Sequence, residues 1–333
     1  MKVINILCCL ILIGLLCSCK NDFDLVEEGQ DIPIVYGFIN IGVDSQLIRV
    51  ERSFAGENIN AFQAAQNEDS VYYDDASISI INEATGVEHE LERVDATLFG
   101  IERDEGDFLL EPNIAYYVPT DQLAFRGGEE VTLVIDRGNE KPAVTSTTTV
   151  LTPVDLTDPV PDKPIHFTYR NKAFFFSKEK EVGVLGLTMF MYIREIDIDD
   201  PSQQEIIKVT WRMISGLDVD KTSDFEIPRV EGRQFYTTLA NNLDPEKKVF
   251  RQFSHFDLFV QGGGDEISEF RRIARANSGL TGAQELPLYT NIDGGIGIFS
   301  SKYSRLYEGF TVSGETRDSL QVSQILEGYN FVD

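Results

Sequence analysis

Apolar and polar residues alternate in short runs through the first half of the chain, and that two-residue period predicts β-strands. Ile34-Val35-Tyr36-Gly37-Phe38-Ile39 follows Ile32-Pro33, and Leu47-Ile48-Arg49-Val50 comes after a turn region rich in Gly, Asp and Ser. Ser77-Ile78-Ser79-Ile80 has the alternation of a half-buried strand. Asn82-Glu83-Ala84-Thr85-Gly86 then offers a hairpin turn before Val87-Glu88-His89-Glu90-Leu91. Residues 131–135 and the Thr/Val-rich run 143–150 complete the set, because branched side chains suit a pleated surface. Short strands between turn signals predict a sandwich of about seven strands over residues 32–153, immunoglobulin-like or transthyretin-like.

Pro153, Pro159, Pro161 and Pro164, interleaved with Asp155, Asp158 and Asp162, break this pattern. Proline cannot donate to a sheet ladder, so the segment reads as an extended linker or a sheet edge. Residues 154–333 mix the two periods. A long strand is expected at 184–196, with Leu187, Met189, Met191 and Ile193 on one face, and 207–214 and 256–261 are its candidate neighbours. The 3.6-residue period takes over at 266–277, where Ile267, Phe270, Ile273 and Ala274 form a stripe. Asp265 can cap this helix, Glu266 and Glu269 suit its positive start, Arg271, Arg272 and Arg275 suit its negative end, and Asn277-Ser278-Gly279 stops it. So short a stripe is expected to face a core rather than a partner. Residues 230–242 carry a weaker helical pattern. The fold class expected is mainly β: a sandwich followed by a β-rich α+β domain with one or two short helices.

The N-terminus changes the picture from fold to location. One basic residue, Lys2, precedes a mostly apolar run from Ile4 to Leu16, too short to span a bilayer, which takes about 20 residues. The run ends in Leu16-Cys17-Ser18-Cys19, which resembles the lipobox of bacterial lipoproteins. That resemblance implies a signal peptide over residues 1–18, cleavage between Ser18 and Cys19, and diacylglycerol plus a further acyl chain such as palmitate on Cys19. Two or more chains anchor stably, at about 0.8 kcal/mol per buried methylene. Residues 19–31, with Asp22, Asp24, Glu27 and Glu28, read as an acidic tether. This acidic stretch resembles the export signal that sends Bacteroidota lipoproteins to the cell surface, so an outward-facing position is preferred to a periplasmic one.

Composition then narrows the chemistry. Cys8, Cys9 and Cys17 leave with the leader and Cys19 is acylated, so no thiol remains for a disulfide, a nucleophile or a zinc ligand. The formal charge of −26 grows by one negative unit when Lys2 is lost, which disfavours nucleic acid and keeps an exported protein dispersed. His89, His166 and His255 lie in three separate segments with no HExxH spacing. Neither Asp197-Ile198-Asp199-Asp200 nor Asp218-Val219-Asp220 with Asp224 fits an EF-hand, and both read as surface turns with calcium as the sharper alternative. Gly262-Gly263-Gly264 before Asp265 reads as a strand-to-helix turn, since carboxylates occupy the place an anion would take. No catalytic residue, metal site or cofactor is expected.

The most distinctive internal segment is Tyr289-Thr290-Asn291-Ile292-Asp293-Gly294-Gly295-Ile296-Gly297-Ile298-Phe299. It reads as a turn followed by a strand, and Gly297 inside that strand predicts a bulge or a close backbone approach. Here the chain resembles a family of Bacteroidota outer-membrane lipoproteins of unknown function with an Asn-(Ile/Val)-x-x-Gly-(Leu/Ile)-Gly-(Tyr/Val/Ile)-Phe signature near the C-terminus. The resemblance implies an outer-membrane location and a TonB-dependent transporter as a partner, and supplies no catalytic residues. The function expected is a non-enzymatic binding or accessory module on the cell surface. Trp211, Tyr72, Tyr73, Tyr116 and Tyr117 are candidate contact residues, although each taken singly is expected first as a core or strand residue. A structural or assembly component of the envelope, or a glycan-acting hydrolase, is the alternative.

Overall fold

A computed structural model describes residues 31–53, 60–106, 109, 111–138, 141–278 and 288–333. The expected leader, its cleavage site, Cys19 and the tether up to residue 30 lie outside the described residues. The chain is mainly β, as expected. Its strands are β1 (Pro33–Ile39), β2 (Ser45–Arg52), β3 (Ser77–Asn82), β4 (Val87–Glu90), β5 (Glu92–Asp95), β6 (Ile114–Pro119), β7 (Glu130–Asp136) and β8 (Val144–Thr149). There follow β9 (Asp155–Asp158), β10 (Asn171–Ala173), β11 (Phe175–Ser177), β12 (Val184–Asp197), β13 (Gln204–Asp218), β14 (Phe225–Glu226), β15 (Arg229–Glu231), β16 (Val249–Gly263) and β17 (Ile296–Phe310).

One sheet of eight strands, in the order β13-β12-β16-β17-β1-β2-β6-β5, runs through the molecule, and a four-stranded sheet β4-β3-β7-β8 faces part of it. Alternation does what the sequence implied. Val35, Ile48, Val50, Tyr116 and Val118 from one sheet meet Ile78, Ile80, Val131, Leu133 and Val144 from the other in a single buried cluster. The Asn82–Gly86 hairpin holds because the Asn82 side chain accepts from the backbone of Ala84 and Thr85 while Gly86 takes a φ of 69°.

The second buried cluster lies under the long strands. Leu187, Met189, Met191 and Ile193 all face it, joined by Trp211, Phe256, Leu258 and Phe310, and Phe167, Phe174, Phe176 and Phe235 pack against them. The proline segment supplies β9, an edge strand of a small sheet, with Val154 and Leu156 in this core. A helix Arg233–Asn242 covers the sheet through Phe235, Tyr236 and Leu239, so the helical pattern at 230–242 begins after a short strand. Arg251 and Glu195, fully buried, form an ion pair at 2.7 Å, and Arg251 also donates to the carbonyls of Tyr329 and Asp244.

Strand β17 crosses the border expected at residue 153. From Ile296 to Ser301 it pairs in parallel with β1, and from Lys302 it pairs antiparallel with β16. The Asn291 motif explains the crossing. The Asn291 amide donates to Phe299 O (2.6 Å) and accepts from Phe299 N (3.0 Å), Asp293 bridges to Thr145, and Ile292 and Phe299 enter the first core. Gly297 has a φ of 116°, and a Cβ there would lie 2.0 Å from Val35 O, which is the close backbone approach its position predicts. A late segment thus completes the early sandwich.

Candidate functional site

Because Leu187, Met189, Met191 and Ile193 point into the core, their neighbours Thr188, Phe190, Tyr192 and Arg194 point the other way. The register sets them beside Arg212, Thr210, Lys208 and Ile206 of β13, and beside Phe259, Asp257, His255 and Gln252 of β16. Rings on this face stack: Tyr192 lies on His255 at 4.4 Å, Phe190 is 6.4 Å from Phe259, and Lys208 Nζ sits 3.9 Å from the Phe190 centroid. Leu306 of β17 extends the face and is 44% exposed. Two carboxylates belong to it. Asp257 is buried and accepts from Gly309 N (3.0 Å), and with Glu308 it raises the Tyr192 phenol above its ordinary pKa, behind the larger effect of lost hydration.

At one end, the helix Asp265–Ser278 rests on the sheet. It comes this close because Gly263 has no side chain: a Cβ there would lie 2.7 Å from Val184 and 3.0 Å from Ile267. The helix forms as expected, but its stripe does not enter either core. Ile267 and Ile273 are half-buried and Phe270 is exposed beside Tyr289, because the helix lies on the outward face of the sheet, away from the packed interior.

Helix and sheet enclose a hollow of about 320 Å³ whose walls include Arg212, Arg271, Lys302, Gly186, Gln261 and Ile267. Space exists there because the β12 register shifts between Leu185 and Gly186 and again between Leu187 and Thr188, and Gly186 presents hydrogen in place of a side chain. Arg271 lies across Gly216 and donates to Ser215 O (2.6 Å). Arg212 has no hydrogen-bond or ion-pair partner among the described residues. Lys302 approaches the Phe38 ring at 5.2 Å, and loss of hydration holds its ammonium below the ordinary lysine pKa. Lys302 and Gln261 also border a second hollow of about 330 Å³, lined by Phe38, Asn40, Val43 and Phe259, where β17 passes from one sheet partner to the other.

The residues singled out from sequence fare differently. Trp211, Tyr72, Tyr73 and Tyr116 are buried, which removes them as contact residues: each fills a core or, as with Tyr72 and Tyr73, turns its hydroxyl inward to Pro112 O and Asp31. Tyr117 is half-buried and stacks on Phe99 at 4.7 Å. His89 lies near Phe125, His166 contacts Ser313, and His255 stacks on Tyr192, so the three histidines do not meet. Among the described residues no group of three or more His, Cys, Asp or Glu is arranged to hold a metal. Both acidic clusters are turns: Asp197 accepts from the backbone of Asp199 and Asp200, and Asp220 from Thr222. The outward aromatics and the three cations were missed, although two rings at alternate positions among Leu187 to Ile193 were a readable signal.

Fold and surface define a β-rich protein in which one strand joins a two-sheet sandwich to a long-stranded sheet with an open aromatic and cationic face. The chain belongs to the DUF4249 family, a domain of unknown function, matched over residues 20–304. No curated protein matches it. Among solved structures, the C-terminal globular domain of an oligosaccharyltransferase from Pyrococcus abyssi is 10% identical over 87% of this chain and 52% of its own, with a TM-score of 0.19. The FN1–FN3 domains of chicken CNTN1 are 12% identical over 71% of this chain and 64% of theirs, with a TM-score of 0.21. The chain spans about half of the first of these and under two thirds of the second.

Proposed function

We propose that this protein is an outer-membrane lipoprotein of the Bacteroidota type, held by acyl chains on Cys19 and facing the cell surface, where it serves as a non-enzymatic binding module beside a TonB-dependent transporter. The lipobox and the Asn291–Phe299 motif support the location. The observation that carries the binding role is the outward face of β12, β13, β16 and β17, where Phe190, Tyr192, Phe259 and Leu306 gather on one surface with Lys208 and Arg212. Aromatic and cationic side chains grouped in this way are what recognition surfaces are built from.

Two experiments test this. Cells grown on labelled palmitate should label the wild-type chain and not Cys19→Ala, and protease added to intact cells should digest it; an unlabelled or fully protected wild type refutes the anchoring or the outward position. Tagged wild type and a Phe190→Asp/Phe259→Asp variant, recovered from detergent-solubilised outer membrane, test the face. A TonB-dependent transporter should copurify with the first and not the second, and equal recovery with both refutes the assignment.

A further inference from the structure

We propose that the hollow walled by Arg212, Arg271 and Lys302 is a site for a small organic oxyanion, a carboxylate, sulfate ester or phosphate ester on a compact body. The inference deepens the binding role above and rests on it.

The charge pattern argues first. The chain has 55 acidic residues against 29 basic ones, yet this hollow is walled by three cations and no carboxylate. The acids closest in sequence have other partners. Asp218 accepts from Ser268 (2.8 Å), Asp265 pairs with Lys221, and Glu266 accepts from Ser300 (2.7 Å). Arg212 and Arg271 bring like charge to one end of this space, and an anion held between them relieves their repulsion, while Lys302 adds positive field from across the sheet.

Donor geometry argues second. Arg212 has every N–H uncommitted to the described residues, and Arg271 spends one donor on Ser215 O, so both guanidinium forks remain available to an oxyanion. Both arginines approach from the β13 side, whereas Lys302 comes from β17, three strand spacings or roughly 14 Å away across the sheet. An anion held at the arginines therefore leaves its body lying along β12 and β16 toward Lys302. Val184, Leu185 and Ile267 offer that body apolar surface, and Gln261 and Thr188 offer polar groups. A hollow of about 320 Å³ sits at the small end of ligand pockets, which excludes a long chain as the part enclosed.

Titration calorimetry on the full lipidated chain in neutral detergent, with phenyl phosphate, phenyl sulfate, benzoate and uncharged benzyl alcohol, tests the site. The three anions should bind, weaken as salt is raised, and outrank the alcohol. Arg212→Gln should weaken binding roughly tenfold or more, and Lys302→Gln, further from the oxyanion, should weaken it less. Gly186→Leu should block the hollow without added charge, while Lys248→Gln, an exposed lysine that borders neither hollow, should leave affinity within twofold. A readout independent of variants is modification of Arg212 by phenylglyoxal: phenyl phosphate should protect that residue and benzyl alcohol should not. Equal binding of alcohol and anions, or Arg212→Gln and Gly186→Leu both binding normally, overturns the proposal. If the anions fail to bind while transporter recovery still depends on Phe190 and Phe259, the anion site falls and the binding face stands. If they bind and no transporter is recovered, the site stands alone.

Discussion

Replacing Gly297 with alanine should be among the most damaging small changes in the molecule, and the reason is local. The added Cβ would sit 2.0 Å from Val35 O and 2.9 Å from two further Val35 backbone atoms, at a φ of 116°. Contact with a carbonyl oxygen needs more than 3 Å, so β1 and β17 must part by about 1 Å or the glycine must leave its backbone conformation. A non-glycine residue in that region costs about 1–3 kcal/mol by itself. Forced overpacking adds about 1–3 kcal/mol, and loss of one strand hydrogen bond adds about 1 kcal/mol. The sum is about 5 kcal/mol, a large part of a typical domain's margin. Gly37 makes the control. A Cβ there meets Phe299 Cδ2 at 2.9 Å and Ile48 Cγ2 at 3.1 Å, side-chain atoms that can move. Phe299→Leu should therefore rescue part of the Gly37→Ala defect and none of the Gly297→Ala defect. Urea unfolding is the assay, followed by the fluorescence of Trp211, the one tryptophan, which reports the second core, and by circular dichroism, which reports both. Since β17 supplies Phe299 to the first core and Tyr303 and Phe310 to the second, the two transitions should coincide and shift together. A Gly297→Ala protein within 0.5 kcal/mol of wild type, or equal rescue of both glycine variants by Phe299→Leu, refutes the reasoning.

Three further outcomes follow from buried polar contacts. Asp31 accepts from Tyr73 Oη (2.6 Å) and lies near Arg52, Arg137 and Lys141; burial pushes its pKa up, but these partners outweigh that and hold it below the ordinary 3.8. A lowered carboxylate stabilises the fold above its ordinary pKa and loses that contribution as pH falls through the lowered value. Asp31→Asn should thus be less stable than wild type by about 2 kcal/mol at neutral pH, with the gap closing in acid, and a gap independent of pH in denaturation series would contradict this. Arg251→Met should cost about 3 kcal/mol in urea melts and open the C-terminal segment near Tyr329 to protease, because it strands Glu195 with Lys247 as its remaining charged partner. Asn291→Ala removes both hydrogen bonds to the Phe299 backbone and should cost about 2 kcal/mol by the same assay, while Asp293→Ala, whose bridge to Thr145 is made by backbone atoms, should cost less than half of that.

Strands with clear alternation were legible: β1, β2, β3, β7, β8 and β12 were read as strands, and for β12 the shared face of Leu187, Met189, Met191 and Ile193 was read as well. So was the helix over Asp265–Ser278, whose stripe and charge gradient agree. What the sequence withheld was partnership. Strand β5 has no buried residue, β6 sits after an irregular stretch, and β9–β11, β14 and β15 are two to four residues long, too short for any period to register. Gly297 announced a close approach but not that its neighbour was Val35, more than 250 positions earlier. Of the aromatics offered as contacts, Trp211, Tyr72, Tyr73 and Tyr116 were buried and Tyr117 half-buried, because an aromatic residue packs inward as readily as it binds. Arg212, Arg271 and Lys302 lie in three separate segments and share a wall only once β13, β12, β16 and β17 are in order. A site assembled across a sheet is written in the register, and register is the property that a single sequence states least clearly.

The proposed anchor and the proposed site are linked through β1. Asp31, the last residue of the acidic tether, is fixed by Tyr73 and a ring of cations where the chain enters the sandwich. From there β1 carries the backbone roughly 25 Å, at about 3.3 Å per residue, to Asn40 in the wall of the second hollow. Its parallel partner β17 continues past that point into Lys302, which both hollows share. The tether therefore joins at one end of β1 and the cationic trough opens at the other. On the proposed anchoring, that separation sets the trough away from the point of attachment, while the negative charge of the whole chain disfavours lying flat on an anionic surface. Moving the tether should then matter as much as mutating the trough. If Asp31→Ala, Arg137→Ala releases the clamp, the body gains rotational freedom at its anchor, so transporter recovery should fall while phenyl phosphate binding to the same purified protein stays within twofold of wild type. Loss of both, in a protein that still melts cooperatively, would show that the clamp shapes the trough itself and would break the link drawn here.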